Sequence, residues 1–136
     1  MITSSGDELT SLLHVLQHLT KLQSLQLEDN TIEDFQQVAI AIANSKSLKE
    51  VYLSNNNLQL AGAQQVAEIL MHSEILIDEL MVSDMTIGHE GAILLAEALS
   101  ISSVRVLSIP REYFDWIKAN HYHRYQWHRL TYVLNA

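Results

Sequence analysis

The chain has 136 residues of which 48% are apolar, enough to bury one core and too few for two ordinary domains. It contains no cysteine, which excludes a disulfide framework and a thiolate metal site and favours a reducing compartment. With a formal charge of −8, no basic and apolar leader and no apolar run of membrane-spanning length, a soluble, cytoplasmic or otherwise intracellular protein with no membrane partner is expected.

Residues 5–19 open with Ser5 three positions before Glu8, a capping-box spacing, and continue with Leu9, Leu12, Leu13, Leu16 and Leu19 at helical intervals. Leu12 and Leu16 precede Leu22 by ten and six residues, as Val38 and Ile42 precede Leu48. The first helix therefore reads as the second half of a repeat whose strand is absent. It is either an N-terminal cap or the cut edge of a longer array.

From Leu22 a pattern recurs. Leu22, Leu25, Leu27 and Ile32 fall at offsets 0, 3, 5 and 10, with Asn30 at offset 8. Leu48, Val51, Leu53 and Leu58 repeat it with Asn56, and Ile77, Leu80, Val82 and Ile87 follow, then Val104, Leu107, Ile109 and Phe114. The starting residues are 26, 29 and 27 positions apart. Each apolar trio at alternate positions predicts a short strand, and helices are predicted over 33–44, 61–71 and 88–99. The tetrad Gln36-Gln-Val-Ala39 returns as Gln64-Gln-Val-Ala67, an internal duplication. The asparagine at offset 8 is suited to satisfying backbone groups where the chain curves out of the strand.

Strand, asparagine turn and helix at this period resemble the leucine-rich-repeat family, in the long, helix-bearing ribonuclease-inhibitor type also found in nucleotide-binding innate-immune receptors. The resemblance covers roughly residues 9–114. It implies an α/β fold, a short right-handed solenoid with parallel strands on the concave side and helices on the convex side. Met85 and Glu112 replace the turn asparagine in the third and fourth units, and Pro110 follows the fourth strand directly.

Residues 1–110 thus form the expected array, and 111–136 a non-repeat C-terminal cap or tail. The tail holds seven of nine aromatic residues and three of seven histidines. In the cap reading, Phe114, Trp116, Ile117, Trp127 and Leu130 cover the apolar edge of the last unit. The alternative is a metal- or nucleic-acid-binding tail. His121, His123 and His128 are the most metal-like cluster but have no carboxylate at ligand spacing. Arg111, Lys118, Arg124 and Arg129, interleaved with aromatics, are too few beside an acidic array to favour nucleic acid.

Catalysis is not expected. Adjacent carboxylates such as Glu28-Asp29 and Asp78-Glu79 diverge on a strand or turn; Ser54, Ser83 and Ser108 lack triad partners; and four glycines form no phosphate loop. No cofactor is implied. The strand residues between the inward positions give the functional surface: Ser24, Gln26 and Glu28, then Glu50, Tyr52 and Ser54, then Glu79, Met81 and Ser83. Side by side they form columns, Ser24, Glu50, Glu79, then Gln26, Tyr52, Met81, Ser108, then Glu28, Ser54, Ser83, bordered by Asp29, Asn55 and Asp84. Tyr52 beside Met81, rimmed by carboxylates, has the anatomy of a protein contact. The expected function is a protein-interaction module for a basic or amphipathic partner, or else a regulatory segment of a larger leucine-rich-repeat receptor or effector.

Overall fold

Within each unit the apolar period changes from two to between three and four, and the backbone follows it. The computed structural model describes residues 2–5, 22–28, 32–54, 59–72, 76–83, 85–121 and 128–132. In chain order they form β1 (Ile2–Ser5), β2 (Ser24–Glu28), α1 (Ile32–Asn44), β3 (Glu50–Ser54), α2 (Gln59–Met71), β4 (Glu79–Ser83), α3 (Gly88–Ser100), β5 (Val106–Ile109), α4 (Arg111–His121) and β6 (Leu130–Tyr132). The six strands make one sheet in sequence order, and every neighbouring pair is parallel. Because that order never reverses, crossovers of one hand bring each helix to the same face.

The burial pattern shows this. Leu25, Leu27, Val51, Leu53, Leu80, Val82, Leu107 and Ile109 are buried and join one core with Phe35, Val38, Ile42, Val66, Leu70, Leu95 and Leu99 from the helices. The alternate residues of β2, β3 and β4 stay half-buried on the other face. Among the described residues, no helix is long and apolar enough to cross a membrane.

Register is locked at the entry to β3, β4 and β5. The N–H groups of Lys49 and Glu50 both donate to the Gln23 carbonyl, at 2.8 and 3.1 Å, and those of Asp78 and Glu79 to the Lys49 carbonyl, at 2.9 and 3.0 Å. Arg105 and Val106 repeat the arrangement on the Asp78 carbonyl at 2.9 and 3.0 Å. Serines close the helix-to-strand turns. Ser45 Oγ accepts from the N–H of Ser47 and of Leu48, Ser47 Oγ donates to the Leu22 carbonyl, and Ser102 Oγ accepts from the Val104 N–H. These hydroxyls satisfy backbone groups that neither element can pair.

Two glycine positions have distinct causes. Gly88 opens α3 at φ +72°, and Gln59, at the equivalent position in the preceding unit, has φ +51°. The strand-to-helix turn therefore uses the left-handed region in both units. Gly91 is set by space, since a Cβ there would lie 2.9 Å from the Ile87 Cβ and 3.1 Å from the Ala63 Cβ. At this position α3 packs closely against Ala63 of α2.

Two expectations change. The first strand is present rather than absent: Ile2–Ser5 pairs in parallel with β2, Ile2 beside Leu25, and Glu8, the partner of Ser5 in the expected capping box, lies outside the described residues. The helix expected over 9–19, and Asn30 and Asn56, lie outside the described residues. Met85, in the asparagine position of its unit, is buried. After β5 the single residue Pro110 leads straight into α4, whose Tyr113 and Phe114 N–H groups donate to the Pro110 carbonyl. The stretch expected to leave the repeat pattern then adds one more helix and one more parallel strand, with Leu107 beside Leu130. Tyr113, Phe114, Ile117 and Leu130 are buried in the common core and Trp116 is partly buried against it, while Trp127 lies outside the described residues.

Replacing Gly91 with valine should lower stability by about 1–3 kcal/mol through overpacking between α2 and α3. At Gly88, asparagine should be tolerated and valine should cost about 1–2 kcal/mol, because asparagine visits left-handed backbone and a β-branched residue does not. Denaturant unfolding of the three variants checks both effects.

Candidate functional site on the open strand face

Alternation along a strand sends every second side chain away from the helices, and parallel pairing sets those side chains in rows across the sheet. The register places Ser24 beside Glu50 and Glu50 beside Glu79; Gln26 beside Tyr52, Tyr52 beside Met81 and Met81 beside Ser108; and Glu28 beside Ser54 and Ser54 beside Ser83. All eight residues expected to form the surface, Gln26, Glu28, Glu50, Tyr52, Ser54, Glu79, Met81 and Ser83, therefore lie on one face, half-buried, across three adjacent strands. Asp29, Asn55 and Asp84, expected at its border, lie outside the described residues. Ser108 is only 8% exposed and so does not offer the open surface that the sequence suggested.

Two carboxylates stand in register on neighbouring strands, Glu50 beside Glu79, an arrangement that like charges disfavour. Each is held by a different donor. The Tyr52 hydroxyl donates to Glu50 Oε2 at 2.8 Å, and Arg105 Nη2 pairs with Glu79 Oε1 at 2.7 Å. The second interaction is exposed, with side chains 63% and 44% accessible, so its contribution to stability is small. A third acid, Glu28, accepts from Gln26 Nε2 at 2.9 Å. Arg105 was not among the expected site residues. Its signal was available in the repeat: it follows Val104 as Asp78 follows Ile77, at the mouth of the next strand.

The Tyr52 phenol is held above its ordinary pKa. The hydrogen bond to Glu50 is the largest cause, since it requires the proton, followed by partial desolvation and by the negative charges of Glu50 and Glu79. The aromatic ring of Tyr52, the thioether of Met81 and the flanking carboxylates thus combine an apolar contact with anionic acceptors. Ser24 Oγ is buried without a hydrogen-bond partner among the described residues.

The histidines go elsewhere. His121 ends α4 rather than lying on an extended strand, and its ring meets the edge of Trp116 at 5.3 Å. On its other side Trp116 stacks on His89 of α3, with centroids 3.9 Å apart and planes 8° from parallel. His123 lies outside the described residues, and among those described no three metal-ligating side chains are grouped. Of the tail's basic residues, Arg111 lies over the Tyr132 ring and Lys118 over Phe114.

No family model, curated protein or solved structure matches the chain.

In alkaline titration followed by ultraviolet absorbance, the tyrosine signal lost in Tyr52→Phe should have its midpoint above the ordinary value of about 10. Glu50→Gln should bring that midpoint down. Because the folded value is the raised one, the stabilising contribution is complete below the unfolded pKa and disappears as pH rises through the folded value. Unfolding free energies of wild type and Tyr52→Phe should therefore converge above that pH.

Proposed function

We propose that this chain is a leucine-rich-repeat solenoid of the ribonuclease-inhibitor type that recognises a basic or amphipathic protein segment through the open face of its strands. Strand and helix alternate in a single parallel sheet, and the carbonyl shared by two N–H groups recurs once per unit at Gln23, Lys49 and Asp78. Both features support the repeat reading. Packed helices need about 8–10 Å each, whereas neighbouring strands need about 4.8 Å. An array with helices on one side only therefore bends with its strands inward, which makes the open face the concave one.

The observation that carries the functional reading is the Glu50 and Glu79 pair beside Tyr52 and Met81. Two carboxylates in register gain from a cation placed between them. The hydroxyl and guanidinium that hold them are at the surface and exchange partners at little cost. Tyr52 and Met81 add an aromatic anchor and an adaptable thioether, residue types enriched at the centres of protein contacts. A lysine- or arginine-bearing amphipathic segment satisfies both features at once, its apolar side on the middle column and its charge on the acids. The chain acts as a binding surface and needs no cofactor for that role.

Affinity capture with the wild-type chain and with a Tyr52→Ala, Met81→Ala double variant tests this reading. The partner retained by the wild type should bind the double variant at least roughly tenfold more weakly, a loss of about 1.4 kcal/mol or more. Glu50→Lys should weaken it further by charge reversal. Identical partners at equal affinity would show that the open face is not the contact.

A further inference from the structure

Next to the acidic columns, basic and hydroxyl side chains gather at one recess. The turn before β5 and the turn before β6 enclose an open recess of about 440 Å³ whose lining includes Ser102, Ser103, Arg105, His128 and Arg129. No aspartate or glutamate is among its described lining residues, although the chain carries twice as many acids as Lys and Arg, 16 against 8. Arg129 is half-buried and fixed in place: its Nη2 donates to the Ser102 and Val104 carbonyls, across the turn of the preceding unit. That gives the recess a positive charge whose position is set by the backbone. Arg105 approaches from the neighbouring strand, exposed and joined to Glu79 at one end of its guanidinium.

We propose that this recess is a binding site for a phosphate monoester. Arg105, whose guanidinium Glu79 engages through Nη2, supplies a fork of N–H donors that matches the terminal oxygens of a phosphate, and Arg129 adds positive charge while its Nη2 stays on the Ser102 and Val104 carbonyls. The recess is open to solvent and wider than inorganic phosphate, which leaves room for the group to which the phosphate is attached. The turn serves as a scaffold, since the bonds from Arg129 to its carbonyls hold the Ser102–Val104 backbone against the mouth of β6. Glu79, outside the recess, competes with the anion for Arg105. The phosphate belongs either to a free metabolite or to a phosphorylated side chain, and both present the same dianion. This inference does not rest on the proposed role of the open strand face.

Amide chemical-shift titration of the full chain tests it, at neutral pH and a fixed ionic strength of about 0.15 M so that general screening is constant. The probes are inorganic phosphate, glycerol phosphate and a short phosphoserine peptide with its unphosphorylated form. Saturable shifts should be confined to Ser102–Val106 and His128–Arg129, and the unphosphorylated peptide should produce none. Tighter binding of the phosphopeptide assigns a modified side chain as the source, and tighter binding of glycerol phosphate assigns a metabolite; each supports the site. Arg105→Gln, a change at an exposed position, should weaken binding roughly tenfold or more. Glu79→Gln should strengthen it by releasing Arg105, the opposite of its expected effect on a basic partner of the open face. Unsaturable or scattered shifts, shifts equal for both peptide forms, or affinities unchanged in both variants would overturn the proposal.

Discussion

Two successive N–H groups converging on one carbonyl at the mouths of β3, β4 and β5 is the interaction on which the rest of this molecule depends. Gln23, Lys49 and Asp78 each receive such a pair from the following unit. A one-residue slip there would exchange the buried and open faces of a whole strand. It would move Tyr52 toward the helices and Leu53 toward solvent. The core and the surface columns are therefore two results of one backbone constraint, and neither can be shifted alone.

The same constraint creates a local conflict on the open face. Register that aligns Val51 with Leu80 inside also aligns Glu50 with Glu79 outside. The conflict is relieved from within the strand for one acid, by Tyr52, and from the next unit for the other, by Arg105. Because Arg105 also lines the terminal recess, it joins the acidic part of the surface to the basic part. The two proposed ligands would act on the same guanidinium, and linkage would make such an effect reciprocal.

Much of this was legible in the residues. Alternating Leu25 and Leu27, Val51 and Leu53, and Leu80 and Val82 specify the strand faces, and counting between them gives the columns that the register shows. The first strand escaped because Ile2-Thr-Ser-Ser5 carries one apolar residue, too few to reveal a period of two. The last strand escaped for a different reason. Pro110 replaces the connections 29–31, 55–58 and 84–87 with one residue, so Leu130 follows Leu107 by 23 positions and falls short of the spacing set by the earlier units. The recess could not be read at all, since it depends on Arg129 reaching carbonyls 25 and 27 residues earlier, and no periodicity encodes a side chain bonding to distant backbone.

Among the described residues α1 packs on α2, α2 on α3 and α3 on α4, and each strand pairs with its neighbours in sequence. A fold joined only to its neighbours opens from its ends, where a unit has one flank to lose, before it opens in the middle, where two must be given up. Tyr52 and Met81 sit on β3 and β4, each with a partner strand on both sides. Their surface is thus carried by strands held on both flanks, so opening it requires the loss of two strand pairings at once.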